Sequence, residues 1–246
     1  MIDAALDYSG KTVLIIGGSA GIGNATAQAF RACGAAVHVT GTKADASEYR
    51  KEDGSDFAGL TYHSLDAADN DAIKALRLKF DKLDVLICAQ GMVLYKRAEF
   101  EPDNFAKVLQ VNLNSLMTCA GEFHDLMMEA KGSMIIISST AAFHATVGNP
   151  AYNASKTGAM GLTRTLGKAW APEGIRVNGI APGLIATKMT KVTTEHPKRR
   201  EATTRNIPVG RIGDPEDMAG LSLFLASPLA SYIVGQTIIA DGGLLL

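Results

Sequence analysis

Residues 12–23 read TVLIIGGSAGIG, and this stretch decides the fold class. Its first five residues, Thr12–Ile16, are β-branched or aliphatic, which is typical of a buried strand, and four glycines stand among the next seven residues. A helical segment, residues 22–32, begins inside the glycine run. Glycines at such a turn let the backbone approach a pyrophosphate at the positive end of the helix. The stretch therefore predicts a strand–turn–helix unit that binds a dinucleotide.

Strands and helices alternate along the rest of the chain, which predicts βαβ units and a parallel sheet covered on both faces. We therefore expect residues 1–246 to form one α/β domain, a doubly wound parallel sheet of the Rossmann type with about seven strands and helices on both faces. The polar segment 188–206 interrupts the pattern and is expected to be the substrate loop. The further strand candidates are residues 36–40, 60–64, 85–88, 134–137, 176–180 and 237–240, and helical spacing is found in residues 69–79, 104–129, 152–170 and 215–225.

The composition excludes several classes of function. With 246 residues the chain can form a full core, and its net charge of -1 gives no basic field for nucleic acid. The short basic cluster at residues 198–200 is interpreted as a solvated face. Cys33, Cys88 and Cys119 lack metal-ligand spacing and are expected to be buried free thiols, so no metal is expected. Neither a leader pattern nor an apolar run of membrane-spanning length is found, so a soluble, cytoplasmic protein is expected.

A second stretch, GNPAYNASKTG at residues 148–158, places Tyr152 and Lys156 four residues apart on one face of a helix. A free tyrosine has a pKa of about 10 and is a poor base at neutral pH. A lysine ammonium one turn away favours the phenolate, so the phenol can take a proton from an alcohol or give one to a carbonyl. Alone, such a pair is an ordinary surface pair, and its interpretation depends on the rest of the chain.

Further motifs stand in a fixed order along the chain: Gly17-x-x-x-Gly21-Ile22-Gly23, Asn112, Ser139, Tyr152-x-x-x-Lys156, APGLIAT at residues 181–187, IPVGRIGDPEDMA at residues 207–219 and DGG at residues 241–243. Together they resemble the short-chain dehydrogenase/reductase family in its compact single-domain form. The resemblance covers nearly the whole chain. It implies a seven-stranded parallel sheet, a nicotinamide cofactor, and hydride exchange between an alcohol and a carbonyl, but it does not identify the substrate.

The resemblance also implies a catalytic tetrad. Tyr152 is expected to exchange a proton with the substrate oxygen, and Lys156 to hydrogen-bond the nicotinamide ribose as well. Ser139 follows a strand at the edge where sheet ligands collect, and its hydroxyl is expected to donate to the substrate oxygen. Ser138 is the competitor for that role and is interpreted as a structural cap. Asn112, inside a helix, would hold a water that links Lys156 to solvent.

The cofactor-binding residues come from several turns of the sheet. The resemblance implies that Asp66 accepts from the adenine amine, with a helix cap as the alternative. It also implies that Ile185 and Thr187 meet the nicotinamide carboxamide beside the Pro182-Gly183 turn. The full set of expected cofactor contacts is Gly17, Ser19, Gly21, Ile22, Gly23, Thr42, Lys43, Asp66, Ala67, Ala89, Gly91, Tyr152, Lys156, Pro182, Gly183, Ile185 and Thr187.

The end of the second strand bears on which cofactor is used. An NAD enzyme normally places Asp or Glu there to accept two ribose hydroxyls and repel a 2′-phosphate. Gly41 occupies that place, while Thr42 offers a hydroxyl and Lys43 a charge, both suited to phosphate oxygens. Against this, Ala20 stands where many NADP-dependent relatives carry a basic residue, and Lys43 can simply point into solvent. The balance favours NADP(H), with NAD(H) as the alternative.

Two positions depart from the family pattern. Ile16 stands where the family usually has threonine, and residues 88–91 read Cys-Ala-Gln-Gly instead of Asn-Asn-Ala-Gly. Both sites become largely apolar, which suggests one compensated change in packing between the first and fourth strands. At Ala89, only backbone contact with a cofactor can be expected.

Several functions remain open at this point. Within the oxidoreductases, a 3-ketoacyl-carrier-protein reductase competes with a dehydrogenase of small cyclic, aliphatic or sugar alcohols. The first needs a basic patch for an acidic carrier, which Lys188, Lys191 and residues 198–200 could supply. A non-catalytic NAD(P)-binding regulator is the alternative of another class, but such a protein has no need of all four tetrad residues. The apolar faces of helices 104–129 and 152–170, with the resemblance, predict a homotetramer.

Overall fold

The computed structural model describes residues 2–246, which form seven strands in one sheet. All neighbouring strands are parallel, and their order is β3-β2-β1-β4-β5-β6-β7, so the predicted doubly wound fold is confirmed. The order reverses between β1 and β4, and sheets of this type bind ligands outside the carboxyl ends of the strands at that point. The strands are β1 Thr12–Ile16, β2 Ala36–Gly41, β3 Thr61–Ser64, β4 Val85–Cys88, β5 Ser133–Ile137, β6 Arg176–Pro182 and β7 Thr237–Ala240.

Helices cover both faces of the sheet. Alternate residues of β1 enter opposite cores, since successive side chains of a strand point to opposite faces. Val13 and Ile15 pack with α2 and α9, whereas Leu14 and Ile16 pack with α3, α5 and α6. The helices are α1 Ile2–Ala5, α2 Gly21–Ala32, α3 Asn70–Arg77, α4 Pro102–Leu109, α5 Ser115–Ala130, α6 Pro150–Trp170, α7 Lys191–Thr194, α8 Pro197–Arg205 and α9 Pro215–Ala226.

The helix predicted over residues 104–129 is divided in two. A π-helical turn, Gln110–Asn114, separates α4 from α5 and carries Asn112. Such turns interrupt α-helices and are frequent at functional sites. The whole element begins at Pro102, in the first helical position that proline favours, and ends before Lys131, whose φ of 49° is left-handed.

The segment 188–206 is helical, not the loop that its composition predicts. It holds a single 3₁₀ turn, Lys188–Thr190, followed by α7 and α8. Thr187 and Thr190 cap the first turn reciprocally, and Pro197 occupies the first turn of α8. None of the α8 residues is buried, so the helix has no apolar face that sequence periodicity could reveal.

The departures in β1 and β4 meet in the core. Ile16 and Cys88 are register partners, and both pack with Cys119 in one fully buried cluster, as a compensated apolar change requires. The expectation of three buried thiols is wrong for Cys33, which is only half-buried at the end of α2. Within residues 2–246, no helix has both the length and the apolar character needed to cross a membrane.

Candidate active site

A cleft of about 730 Å³ lies at the carboxyl ends of the strands, where a sheet of this order binds its ligands. The structure brings nearly every residue of the predicted site to this one place. The lining includes Gly17, Ser19, Gly21, Ile22, Gly23, Thr42, Lys43, Asp66, Ala67, Ala89, Gly91, Ser139, Tyr152, Lys156, Pro182, Gly183, Ile185 and Thr187. Asn112 is the exception, since it is buried directly beneath the lining.

The glycine turn after β1 fits a pyrophosphate. A side chain at Gly17, whose φ is 77°, would lie 2.7 Å from the Gln90 backbone, and one at Gly23 would lie 2.3 Å from the Gly17 carbonyl oxygen. Only glycine fits at these two positions, because a Cβ at either one would collide with backbone atoms. The turn therefore keeps its backbone open at the start of α2, where N–H groups and the helix dipole favour an anion.

The end of β2 has no room for an acidic side chain. A Cβ at Gly41 would lie 2.3 Å from the Tyr49 hydroxyl oxygen and 2.7 Å from the Ser19 Cβ. Burial raises the pKa of the Tyr49 phenol, but hydrogen bonds outweigh burial and leave the pKa below its usual value. The Lys43 backbone N–H donates to the Tyr49 hydroxyl oxygen at 3.1 Å, and Tyr62, Ser19 and Thr42 also act to lower the pKa. The hydroxyls of Ser19, Thr42 and Tyr49 line the cleft here, and such a group of donors suits an anion.

Lys43 does not point freely into solvent. Its ammonium donates to the Glu48 carbonyl oxygen and stands 4.8 Å from the centroid of the Tyr49 ring. The Tyr49 ring also packs at 5.5 Å from Phe57 and 5.9 Å from Tyr62, measured between centroids. Tyr49 was missed in the sequence because it reaches Gly41 through an irregular segment with no periodicity.

Tyr152, Ser139 and Lys156 meet at the other end of the cleft. The Ser139 and Tyr152 side chains both line the cleft, and Ser139 acts to lower the pKa of the phenol, so two hydroxyls are available to one substrate oxygen. Nζ of Lys156 donates to the Ile137 carbonyl oxygen at 2.8 Å and lies 5.7 Å from the centroid of the Tyr152 ring. Burial lowers the pKa of Lys156 to about 8, because a buried ammonium is poorly solvated.

The pKa of the Tyr152 phenol is raised in this structure, although the sequence predicts that Lys156 favours the phenolate. Burial raises the pKa of Tyr152, and this effect exceeds the lowering from the Ser139 hydrogen bond. The charges of the nearby Tyr95 and Glu99 also raise it. A phenol in these surroundings keeps its proton at neutral pH.

Asn112 holds the wall of the cleft instead of facing solvent. Its Oδ1 accepts the Met92 N–H at 2.8 Å, and its Nδ2 donates to the Met92 carbonyl at 2.9 Å and to Ser155 Oγ at 3.1 Å. A Cβ at Gly91 would lie 3.6 Å from Lys156 Nζ and 3.7 Å from Asn112 Oδ1. Asn112 and Lys156 therefore flank one small space beneath Gly91.

Two of the minor predictions change in detail. Ser138 is structural but is not a cap: its hydroxyl donates to the Lys156 backbone carbonyl at 2.9 Å, whereas Ser139 caps the short turn that follows by accepting from Ala141. Asp66 accepts from the Ala68 N–H, and the cap of α3 is Asp69. Among residues 2–246, no three His, Cys, Asp or Glu side chains are grouped as a metal site would require.

Comparison with known proteins agrees with this geometry. A family model described as enoyl-(acyl carrier protein) reductase matches residues 17–245. The chain belongs to the short-chain dehydrogenase/reductase family. It is thus an NAD(P)-dependent oxidoreductase that acts on alcohol and carbonyl groups, which sets the regulator alternative aside.

Individual members of the short-chain dehydrogenase/reductase family match along their full length. The 2-dehydro-3-deoxy-D-gluconate 5-dehydrogenase of Bacillus subtilis (strain 168) is 36% identical over 97% of this chain and 96% of its own. The 3-oxoacyl-(acyl-carrier-protein) reductase FabG of Rickettsia conorii is 37% identical over 98% and 99%. Among solved structures, the Pseudomonas aeruginosa RhlG/NADP active-site complex has a TM-score of 0.88 at 30% identity and covers 98% and 99%.

The substrate end of this dehydrogenase/reductase cleft includes residues that sequence reasoning missed. Met92, Val93, Tyr95 and Met189 line it beside the tetrad. The Tyr95 hydroxyl donates to the Met189 carbonyl at 2.7 Å and so joins the segment after β4 to the segment before α7. No motif marks this contact, since the two residues are 94 positions apart.

Proposed function

We propose that this dehydrogenase/reductase reduces the ketone group of a small, uncharged, carrier-free substrate with NADPH. The observation that carries the proposal is the Tyr152 phenol, which lines the cleft together with Ser139 and Lys156 and whose pKa is raised by burial. A phenol that keeps its proton is suited to act as a general acid toward a carbonyl oxygen. The reverse reaction would need the phenolate, which burial disfavours.

Each residue of the tetrad has a separate role in the proposed ketone reduction. When bound, the nicotinamide cofactor supplies the hydride. The Ser139 and Tyr152 hydroxyls both donate to the substrate oxygen, and Tyr152 gives up its proton as that oxygen becomes an alcohol. The Lys156 ammonium, fixed on the Ile137 carbonyl, would hold the nicotinamide ribose and would stabilise the phenolate that remains. Asn112 would support this arrangement from beneath Gly91.

The choice of NADPH is supported at the end of β2. Gly41 offers no carboxylate to repel a 2′-phosphate, and the Ser19, Thr42 and Tyr49 hydroxyls that line the cleft there would donate to phosphate oxygens. Lys43 adds a positive charge beside them. The solved RhlG complex, which is similar to this chain, contains NADP.

An uncharged, carrier-free substrate is supported by the lining of the substrate end. Met92, Val93 and Met189 are apolar. The Tyr95 hydroxyl donates to the Met189 carbonyl, so its proton is not available to a substrate. Lys188, the cation beside Met189, is paired with Asp53 at 3.4 Å. A substrate carboxylate would therefore have to compete with Asp53 for its charge partner.

A 3-oxoacyl-(acyl-carrier-protein) reductase is the second candidate, and the 37% identity to FabG of Rickettsia conorii favours it. Such an enzyme needs exposed cations for an acidic carrier. Lys188 and Lys191 both pair with Asp53, the latter at 3.0 Å, whereas Lys107 lines the cleft and Lys96, Arg97 and residues 198–200 are exposed. The pairing of Lys188 and Lys191 weakens the basic patch that an acidic carrier would need.

A substrate panel tests both candidates. Uncharged cyclic and aliphatic ketones, keto sugar acids, and one 3-ketoacyl thioester on pantetheine or on acyl carrier protein are supplied with NADPH or NADH, and cofactor oxidation is followed by absorbance. We expect the highest kcat/KM for an uncharged ketone with NADPH. A carrier-linked thioester that is preferred by more than about tenfold over the pantetheine thioester, and over every free ketone, would replace the proposal by the second candidate.

A further inference from the structure

Glu99 is a fully buried carboxylate outside the tetrad. It lies in the short turn Ala98–Phe100, between β4 and α4. Its Oε1 accepts from the Leu94 N–H at 3.0 Å and from Asn149 Nδ2 at 3.3 Å, and its Oε2 accepts from the backbone N–H of Tyr152 at 2.9 Å. The three groups are all N–H donors, which matches an ionised carboxylate and explains how the charge is tolerated without solvent.

The bond to Tyr152 completes the start of α6. The first N–H groups of a helix have no intrahelical partner, and the residue before α6, Asn149, provides no side-chain cap. Glu99 supplies the missing acceptor from another part of the chain, at the end of the helix where the macrodipole favours a negative charge. The turn that carries the catalytic tyrosine is therefore fixed by Glu99.

The same carboxylate fixes the opposite wall of the substrate end. Leu94 donates to Glu99 through its N–H, and its carbonyl accepts from Asn149 Nδ2 at 3.0 Å. Leu94 stands between Val93 and Tyr95, which both line the cleft. One side chain thus ties the substrate wall to the first turn of α6.

We propose that Glu99 is a positioning residue for the ketone reduction: its carboxylate fixes the Tyr152 hydroxyl and the substrate wall relative to each other. The inference rests on the proposed function for its kinetic consequence only. Glu99 acts through Tyr152 and Leu94 and does not itself line the cleft.

The charge of Glu99 has a second effect on Tyr152. The titratable and polar groups that face the phenol are Lys156 on α6, Ser139 after β5, and Tyr95 and Glu99 in the segment after β4. Glu99 is an anion in this set and raises the pKa of the phenol, after the larger effects of burial and of Tyr95. Removal of its charge should therefore make the phenol easier to ionise.

Two substitutions separate charge from shape. Glu99→Gln keeps the size, but it removes the charge and turns an NH₂ group toward donors, so at least one of the three N–H groups loses its acceptor. Glu99→Asp keeps the charge on a shorter side chain and should restore part of the function. Asp84→Asn is the matched control, because Asp84 is also buried and accepts the Thr12 N–H at 2.9 Å, at the opposite end of the strands.

The experiment measures kcat and KM for the best ketone, the NADPH dissociation constant, the melting temperature and the titration of the Tyr152 phenol. The phenol is observed by NMR of ring-labelled tyrosine and assigned with Tyr152→Phe. We expect Glu99→Gln to lower kcat by at least about tenfold with NADPH affinity within about twofold, and Glu99→Asp to recover part of the loss. We expect Asp84→Asn to lose stability but to keep kcat.

Titration of the Tyr152 phenol tests the role of Glu99 even if no turnover is measured. In Glu99→Gln the Tyr152 phenol should ionise at a lower pH than in the wild type, and in Asp84→Asn it should not move. An unchanged titration, or a kcat loss no larger than that of Asp84→Asn, would overturn the role of Glu99. If the wild type reduces no ketone with NADPH, the proposed function fails, and the phenol titration still decides for or against Glu99.

Discussion

Ser138 holds Lys156 against the end of β5: its hydroxyl donates to the Lys156 backbone carbonyl at 2.9 Å. The side chain of Lys156 returns to the same strand end, where Nζ donates to the Ile137 carbonyl at 2.8 Å. Helix α6 is thus tied to the sheet at one residue through both its backbone and its side chain. Tyr152 lies one turn earlier, so its position over Ser139 depends on an anchor that does not involve the phenol.

Because of that anchor, Tyr152→Phe should abolish turnover without disturbing the rest of the site. Only the phenolic hydroxyl is lost, and the Lys156 contacts remain. The measurements are kcat for the best ketone and the dissociation constant of NADPH. We expect kcat below about a tenth of the wild-type value and nearly unchanged NADPH affinity, and higher residual turnover would contradict the acid role of Tyr152.

Lys156→Ala should damage both turnover and cofactor binding, since one side chain serves both in the proposed mechanism. The variant also leaves the Ile137 carbonyl without its donor, so its melting temperature is measured alongside. Ser138→Ala is the matched control, because it removes the other tie between α6 and β5 and leaves the ammonium in place. Unchanged NADPH affinity in Lys156→Ala would show that the ribose contact is wrong.

The rate of ketone reduction should fall as the pH rises above about 8. Burial lowers the pKa of Lys156 to about 8, so its ammonium is charged below that pH and neutral above it. The phenol, whose pKa is raised, stays protonated across the same range. The measurement is kcat/KM against pH, which reports groups of the free enzyme. A profile that is flat to about pH 9.5 would contradict a need for the charged lysine.

The sequence predicted the sheet well because its strands are short apolar runs bounded by turns and helices. β1 and β4 agree to the residue, and β2 and β3 within one residue at an end. The tetrad was predicted because its members have a recognisable order and spacing. The π-helical turn at Gln110–Asn114 was missed, since a helical periodicity does not reveal one inserted residue.

The missed parts of the site share a different cause. Glu99 meets Tyr152 across 53 residues, and Tyr49 reaches Gly41 through a segment of irregular turns. Both contacts depend on the folded arrangement of loops, which no local pattern encodes. Segment 188–206 was predicted to be a loop for a related reason. Helix α8 has no apolar face and no buried residue, so its sequence shows no helical periodicity.

The oligomer stays a prediction with a direct test. Met117 and Met128 of α5 are 48% and 40% exposed, and no atom lies within 4 Å of a Cβ placed at Gly121 of α5 or Gly161 of α6. Such an open apolar face on two long helices favours association with further copies of the chain. We expect the mass of a tetramer by light scattering at micromolar protein. Met117→Glu should lower that mass, and a monomeric wild type would refute the prediction.

The preference for NADPH over NADH can be tested at the end of β2 by removing one oxygen, the hydroxyl oxygen of Tyr49. Tyr49→Phe removes a hydroxyl that lines the cleft at the end of β2 and accepts from the Lys43 N–H at 3.1 Å. A hydrogen bond to a charged phosphate is worth more than one to a neutral hydroxyl, so NADPH should lose about tenfold in affinity and NADH much less. Tyr8→Phe is the control, since it removes a hydroxyl that donates to Leu223 at 2.7 Å, away from the cleft.

Lys43→Ala should act in the same direction as Tyr49→Phe, because it removes a charge that stands 4.8 Å from the Tyr49 ring. The loss should shrink at high salt, since the lysine is only half-buried and its field is screened. Dissociation constants for both cofactors are measured by fluorescence titration in the wild type and in each variant. Tighter binding of NADH than NADPH by the wild type would overturn the preference. An equal loss for both cofactors in Tyr49→Phe would show that the hydroxyl serves the ribose and does not select the phosphate.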